Sequence, residues 1–516
     1  MANHDLKEWA MALLGLVLLT RLVSFAYNIL LHPLRAFPGP LAHRASRLPF
    51  AINHARGRGP FCIHALHEHY GPVVRVAPNH LSFTDPRAWR DIYGPRHGPE
   101  YMGDPENPKQ PVFYESLKGI EPSILNADYS EHARLRRALA PGFSDKAMRA
   151  QEPLIGRYVS LLVRRLRQNC EDGKKALNMV AWYNWTTFDI VGDLVFGESF
   201  ACLEEERYHP FVGLVVKSLE QAGPFTSVGY LGMKWVLDEV VTRALALMGS
   251  ALEVEALLGG MREKLVKRFA DVARGVERND LFEGVVRKKD EWNLSMGKLE
   301  TNAALLVGAG SETTASALSG ITYLLLRNPD VLEKVQQEVR AGFDSADEIT
   351  LSSVSRLTYM LAVINEGLRL YPPALGGLVR QTPASGTMIA GRFIPGKTTI
   401  ECQPYSMNHS STNWKDPWAF RPERFLSRGS NEKDDGQAAD FSEDAIESFQ
   451  PFNVGPRNCI GINLAYAELR LIMARVIYEF DLSLGEENDD WIEMQHAFST
   501  WLKIPLNVYL KPVVWS

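Results

Sequence analysis

Phe452-Asn-Val-Gly-Pro-Arg-Asn-Cys-Ile-Gly461 holds a single cysteine, Cys459, with Phe452, Gly455 and Arg457 before it and Gly461 after it. A thiolate that binds iron needs backbone N–H donors aimed at its sulfur to tune its charge. It gains from a nearby helix N-terminus, which favours an anion. It also needs glycines where the backbone turns tightly or approaches a flat ligand. This run can supply all three, because Ile462–Phe480 carries a long helical pattern and Cys459 stands just ahead of its start. A lone cysteine before a helix is more often a buried structural residue, so the weight falls on the rest of the chain.

The 516 residues are 46% hydrophobic and 10% aromatic, with a formal charge of −5. That is enough apolar material for a large core. No Gly/Ser linker or charge block divides the chain, no repeat recurs, and the mild charge leaves no nucleic-acid footprint. Five cysteines (Cys62, Cys170, Cys202, Cys402, Cys459) are scattered without a Cys-x-x-Cys pair. Such usage points to a reducing compartment without a disulfide framework. No phosphate loop or Gly-x-Gly-x-x-Gly follows a strand pattern, so no nucleotide domain is expected.

Upstream of the cysteine run, Lys298 to Arg327 reads as a long helix centred on Gly308-Ala-Gly-Ser-Glu-Thr-Thr314. Two mid-helix glycines cost about 1 kcal/mol each against alanine, so they point to a kink or a close ligand. A threonine there can bond back to the carbonyl four residues earlier, which for Thr313 is Ala309. The resulting groove, with the Glu312 carboxylate and a hydroxyl beside it, suits proton transfer. Leu357 to Leu370 reads as a helix ended by Pro372-Pro373, within which Glu366 and Arg369 can pair. Tyr129 to Ala140 is helical in composition and puts His132 and Arg136 on one face, two donors for an anion.

The remaining chain is less specific. Tyr70 to Asp85 reads as a hairpin turning at Ala77-Pro-Asn-His80. Residues 94–125 and 429–447 read as irregular, the latter as a surface loop. Residues 150–270 are mostly helical, with a Gly/Pro break at Ala222-Gly-Pro224 inside the apolar stretch Phe211 to Leu258. Trp9 to Leu31 is long and apolar enough to cross a bilayer, although Arg21 within it costs about 2.5–3.5 kcal/mol at a membrane centre. A cleaved signal peptide is disfavoured because no small-x-small site follows. Arg35, Arg44 and Arg47 beyond it put the body in the cytoplasm by the positive-inside rule. Sequons at Asn184, Asn293 and Asn408 are then expected to stay unglycosylated.

The cysteine run resembles the Phe-x-x-Gly-x-Arg-x-Cys-x-Gly signature of the cytochrome P-450 family at all five fixed positions: Phe452, Gly455, Arg457, Cys459 and Gly461. Residues 309–313 are similar to the family's Ala/Gly-Gly-x-Asp/Glu-Thr motif. Glu366-x-x-Arg369 and Pro422-Glu-Arg-Phe425 follow in the family's order. The resemblance implies a mainly α fold with a small β-rich subdomain. It divides the chain into a membrane anchor (1–31), a proline-rich hinge (32–40) and a haem-thiolate catalytic domain (41–516). It implies haem b, iron protoporphyrin IX, with Cys459 as the axial iron ligand and Phe452 and Arg457 on the haem loop. His132, Arg136 and Arg380 would meet the propionates, although many members carry tryptophan where His132 stands. Glu312 and Thr313 would handle protons, and Glu366, Arg369 and Arg424 would form a buried network. Leu305, Ala309, Leu375, Val379 and Phe498 would face the substrate. Residues 211–258 would form a lid or ordinary core helices.

By the same resemblance, the chain is similar to fungal microsomal monooxygenases. They insert one atom of O2 into a lipophilic terpenoid, polyketide or alkaloid, with electrons from NADPH through a separate flavoprotein reductase. The expected place is the endoplasmic reticulum membrane, single-pass, with the catalytic domain facing the cytosol, in contact with membrane lipid and with no nucleic acid. Two other readings stand beside this one. A haem-thiolate isomerase or dehydratase would need no reductase, and intact Glu312 and Thr313 weigh against it. A non-catalytic haem sensor would need no substrate chamber.

Overall fold

A computed structural model describes residues 2–96, 105–114, 121–233, 239, 250–276, 278, 280–426 and 441–515. Helices of eight residues or more are numbered here in chain order. They are α1 (Ala2–Leu30), α2 (Leu48–Ala55), α3 (Gly59–Tyr70), α4 (Tyr129–Leu139), α5 (Asp145–Asn169) and α6 (Met179–Phe196), then α7 (Pro210–Tyr230), α8 (Ser250–Ala273), α9 (Met296–Arg327), α10 (Pro329–Ala341), α11 (Thr358–Leu370) and α12 (Ile462–Glu479).

Helix α9 is the spine. Ser295 caps it by accepting from the Lys298 N–H at 3.1 Å, one of the orphan donors that every helix start must satisfy. It runs unbroken through both glycines, which serve its neighbours. A Cβ on Gly310 would lie 3.3 Å from Val191 of α6, and one on Gly308 would lie 3.2 Å from Val215 of α7. The glycines therefore let helices approach, where the sequence pointed to a kink or a close ligand. Helix α6 is buried on nearly every side, as a hydrophobic-all-round helix must be. Helices α5 and α12 complete the bundle, and α11 packs on α9 where Gly320 meets Tyr371 and Gly367 meets Ile321.

The β-rich side is a sheet of order β1-β2-β7-β4, from β1 (Val73–Ala77), β2 (His80–Phe83), β4 (Arg380–Gln381) and β7 (Thr399–Cys402). The expected hairpin is β1–β2, antiparallel, with β7 parallel to β2. A second sheet joins β3 (Ala176–Asn178), β11 (Asn507–Pro512) and β8 (Phe480–Leu484), and β9 (His496–Ala497) pairs with β10 (Trp501–Leu502). The short hairpin of β5 (Thr387–Ile389) and β6 (Arg392–Ile394) stands apart.

Within α1, Lys7–Leu30 has a mean hydropathy of 1.9 and none of its span is buried, which fits a single-pass membrane anchor. The proline-rich segment 32–40 is docked on the sheet. Leu34 is fully buried, the Arg75 N–H donates to Pro38 O at 2.7 Å, and the Arg75 guanidinium donates to Asn28 O at 3.0 Å. Asn184 and Asn408 are buried, and Asn293 is exposed.

One expectation is corrected. The Gly/Pro break at 222–224 does not end a helix, because α7 runs through it. Gly223 is there for packing: a Cβ would sit 2.0 Å from Cδ1 of Phe498. Of the segments read as irregular or as a lid, 97–104, 115–120, 234–238, 240–249 and 427–440 lie outside the described residues.

The α9–α11 contact yields a test. A methyl added at Gly320 would lie 2.2 Å from Tyr371 Cδ1, and one at Gly367 would lie 2.4 Å from Ile321 Cγ1. Gly320→Ala and Gly367→Ala should each lose about 1–3 kcal/mol in urea unfolding, the usual cost of overpacking. Gly260→Ala, on an open face of α8, should gain up to about 1 kcal/mol from helix propensity. Parent-like stability in both core variants would contradict this packing.

Candidate active site

The cysteine loop is built as its residues demand. Gly455 has φ +78°, and a Cβ there would lie 2.0 Å from Tyr93 O, so only glycine fits. The Cys459 N–H donates to Phe452 O at 2.8 Å, and the Phe452 ring lies 5.2 Å from that of Tyr466 on α12. Gly461 forms the N-cap of α12, which leaves the sulfur beside a helix start. Burial pushes the Cys459 thiol up, against the Gly461 N–H and the Arg136 guanidinium, which favour the thiolate. Even so, Cys459 is exposed, within a loop whose other residues are half-buried.

Around this loop stand several cations. Arg136 of α4 donates to Asn458 O and to Asn458 Oδ1, both at 2.6 Å. Its fork thus ties α4 to the loop, where the resemblance implied a propionate contact. His132, one turn earlier, is buried, and burial followed by the nearby Arg457, Lys109 and Arg136 charges lowers its pKa to about 4. It is a neutral imidazole at physiological pH. Arg457 grips Glu106 with Nε and Nη2 at 2.6 and 2.7 Å and donates to Ala127 O at 3.1 Å. Arg380, on β4, is buried with Nη1 unpartnered. Lys109 donates to Leu125 O and Ala127 O at 2.7 Å each, and burial, then Arg457 and Arg380, lowers its pKa to about 7.

Glu106 and Lys109 carried no sequence signal, because they lie in a Gly/Pro-rich stretch without periodicity. Cations in excess, an orphaned buried guanidinium nitrogen and an open sulfur on one loop fit a flat iron ligand that carries carboxylates.

On α9, the Thr313 hydroxyl donates to Ala309 O at 2.7 Å, as its spacing predicted. Leu305, Ala309 and Thr313 recur every four residues on one open face, with Ala309 exposed. Glu312 turns the other way. Its carboxylate is buried and takes the Lys503 ammonium. Phe498 is half-buried between Gly57 and Gly223, while Leu375 and Val379 are packed into the interior.

Glu366, Arg369 and Arg424 do meet, in a network with no exposed side chain. Arg369 holds Glu366 at 2.7 and 2.8 Å and donates to Asn408 O and Pro417 O at 2.7 Å. Arg424 reaches Glu366 at 3.3 Å and Asp444 at 2.5 Å. Asp444, which no motif marks, makes the charges balance. Glu468 on α12 is fully buried and faces Thr314 of α9 without a well-formed hydrogen bond. Burial raises its pKa to about 8, and the Thr314 hydroxyl opposes this only in part.

Comparison with known proteins matches residues 47–511 to the cytochrome P-450 family model. The chain is 47% identical over 488 residues to the cytochrome P-450 monooxygenase tpeC of Talaromyces stipitatus, covering 94% of this chain and 91% of that one. It is 39% identical over 503 residues to the averantin hydroxylase of Dothistroma septosporum, covering 97% and 90%. To the trichothecene C-15 hydroxylase of Fusarium sporotrichioides it is 38% identical over 495 residues, covering 95% of each.

Two outcomes follow from the buried charges. Arg369→Ala takes the main partner from buried Glu366, leaving it only Arg424 at 3.3 Å and the Arg421 N–H, and should lose about 3–5 kcal/mol of stability, read as little folded protein or a much lower unfolding midpoint. A parent-like midpoint would mean that the network holds nothing. Glu468 keeps its proton in the folded state up to about pH 8, whereas the unfolded chain releases it near the ordinary glutamate value of 4.5. Across that window the unfolded state binds fewer protons, so the parent loses stability as pH rises. Glu468→Gln should therefore match the parent near pH 4 and become increasingly more stable than it toward pH 8. A difference that stays constant with pH would refute the assignment.

Proposed function

The chain belongs to the cytochrome P-450 family and is a monooxygenase of it, and from that premise we propose that it inserts one oxygen atom from O2 into a lipophilic small molecule of fungal secondary metabolism, of terpenoid, polyketide or alkaloid type. The family works with haem, O2 and electrons from a redox-partner reductase. The finer assignments are haem b, NADPH as the electron source through a separate flavoprotein, and an endoplasmic reticulum anchor in residues 1–31. Residues 32–40 are then the hinge, and residues 41–516 form a catalytic domain in the cytosol. The observation that carries the reading is the cysteine loop, with its sulfur exposed beside a helix start and Arg136 holding the loop backbone.

Haem bound there supplies the oxygen and electron chemistry, which thiolate ligation biases toward O–O cleavage. The protein's own residues bind, orient and handle protons. Cys459 would hold the iron through its sulfur, and its thiolate is favoured by the Gly461 N–H and Arg136. Arg380, Arg457 and His132, with Lys109 beside them, stand where carboxylates would be held, and the unpartnered Arg380 Nη1 is the free donor. The Phe452 ring packs against Tyr466 of α12 and would lie beside the bound group on the cysteine loop. Thr313 keeps its hydroxyl proton on Ala309 O, which leaves its oxygen lone pairs free to accept a hydrogen bond on the open face of α9. Leu305 and Ala309 make that open face apolar, which favours a lipophilic substrate. The relatives named as hydroxylases of averantin and of trichothecene C-15 support this substrate class.

The test is the absorption spectrum of the purified, dithionite-reduced protein with carbon monoxide, beside Cys459→Ala. A strongly red-shifted Soret band in the parent, absent from the variant, is the expected result. An imidazole-type band in the parent would overturn Cys459 as the ligand. Turnover without a reductase would favour the isomerase reading.

A further inference from the structure

Between Glu8 and Glu68 the chain carries no aspartate or glutamate, yet it carries six arginines: Arg21, Arg35, Arg44, Arg47, Arg56 and Arg58. No lysine stands between Lys7 and Lys109. Histidines aside, the cations of this stretch are therefore guanidinium forks, the group that grips phosphate oxygens in pairs.

The fold gathers four of them around the foot of α1, the helix that fits a membrane anchor. The end of α1 packs on the short helix Leu41–Ala45, that helix packs on α2, and α2 packs on α3. Asn28 of α1 donates to Ala45 O at 2.9 Å. Arg44 donates from Nη2 to Arg35 O at 2.9 Å, so these two residues stand side by side. Its Nε is buried without a partner. Arg35, Arg56 and Arg58 are exposed, and none of the four pairs with a carboxylate among the described residues. Arg47 differs, since its guanidinium turns inward over the Tyr230 ring, 5.7 Å from the ring centre.

Apolar side chains stand uncovered among these cations. Leu31, Leu41, Leu48 and Ile52 are 68%, 63%, 48% and 40% exposed. Leu48 and Ile52, four apart, share an outer face of α2, whose Phe50 and Ala51 are buried. Exposed leucine mixed with unpaired arginine, and continuous with an apolar helix long enough to cross a bilayer, is complementary in charge and polarity to a membrane surface with anionic headgroups.

We propose that Arg35, Arg44, Arg56 and Arg58 form a collar that binds the phosphates of anionic phospholipids, with Arg35 and Arg44 as one phosphate seat beside α1. The proposal rests on the membrane-anchor reading of residues 1–31 and names the lipid that the foot of the anchor takes. A charge bias that only orients a chain during insertion needs no fixed geometry. Here the donors are placed by folded contacts among residues 41–45, α2 and α3. A phosphate oxygen satisfies the buried Arg44 Nε, and no carboxylate of this stretch competes for it. The exposed leucines and Ile52 enter the acyl layer behind the phosphates. Because the Debye length is about 8 Å at physiological salt, the phosphates in direct contact dominate, and the attraction weakens as salt rises.

The experiment titrates the full-length holoenzyme in mild detergent with phosphatidylinositol, with phosphatidylcholine of the same acyl chains, and with inorganic phosphate. Native mass spectrometry reads the bound lipid. The parent should bind phosphatidylinositol about 10-fold or more tightly than phosphatidylcholine, and the ratio should fall with added salt. One arginine near an anionic headgroup is worth about 5-fold. Arg35→Gln, Arg56→Gln and Arg58→Gln should each lose about that factor for phosphatidylinositol and leave phosphatidylcholine unchanged. Arg44→Gln should lose at least as much. Arg207→Gln, which removes an exposed cation outside the collar, should change neither lipid.

Equal affinity of the parent for the two lipids would overturn the proposal. So would a parent-like preference in the Arg35→Gln/Arg56→Gln/Arg58→Gln triple variant, whose altered side chains are exposed, even if Arg44→Gln fails to fold. Inorganic phosphate that displaces phosphatidylinositol at equal concentration would overturn it too, because the collar would then recognise a free anion. Alkaline carbonate extraction from phosphatidylcholine vesicles reads α1 alone. Release into the supernatant would sink the anchor reading, whereas retention without a lipid preference would sink only the collar.

Discussion

Four charges with no access to water hold the catalytic body together: Glu366, Arg369, Arg424 and Asp444. Two anions balance two cations, and backbone carbonyls of Asn408, Asp416, Pro417 and Ala419 take the remaining guanidinium donors. Without those acceptors the desolvation of four ions would outweigh their mutual attraction. The network ties α11 to the segment around Pro422–Phe425 and to Asp444. From there the chain passes Ser448, whose carbonyl accepts from the Trp89 indole at 3.0 Å, and enters the cysteine loop. The position of Cys459 thus depends on an ionic knot well away from it in sequence.

Helix α9 then divides two kinds of chemistry by angle alone. Residues four apart share a face, and consecutive residues do not. Leu305, Ala309 and Thr313 make one face open and mostly apolar, while Glu312 and Ser316 point to the neighbouring side and meet Lys503. Its glycines bring α6 and α7 close at Gly310 and Gly308, and its C-terminal half accepts α11 at Gly320. One helix therefore carries the Thr313 hydroxyl, the buried carboxylate and much of the packing.

The electrostatics around the cysteine loop also divide by direction. At the sulfur, burial opposes the thiolate, whereas a backbone N–H and Arg136 favour it. Farther out, burial and crowded cations drive His132 to about 4 and Lys109 to about 7. Burial first and crowded cations second disfavour positive charge there, and the carboxylates of a bound group would relieve the second. The proline-rich segment 32–40, docked through Arg75 and Leu34, fixes where α1 leaves the body.

Much of this was legible in the residues themselves, because it depends on contacts a few positions apart. The Thr313 back-bond to Ala309, the Glu366–Arg369 pair, the β1–β2 hairpin and the placing of Cys459 just ahead of α12 all follow from helical or turn spacing. The cysteine run, with its glycines and Arg457, marked the family as well. Long-range choices were decided only by tertiary structure. Glu312 could have been read as solvated or catalytic, and its partner is Lys503 because the C-terminal hairpin buries both. Arg457 closes on Glu106 and Arg136 on Asn458, where the resemblance had placed Arg136 at a propionate and Arg457 on the haem loop. Asp444 balances the network from a stretch that had no pattern. Gly223 looked like a helix break and is a seat for Phe498. Local spacing sets which atoms can meet within one element, whereas the partner of a buried charge or the neighbour of a glycine depends on which distant segments exclude water from it.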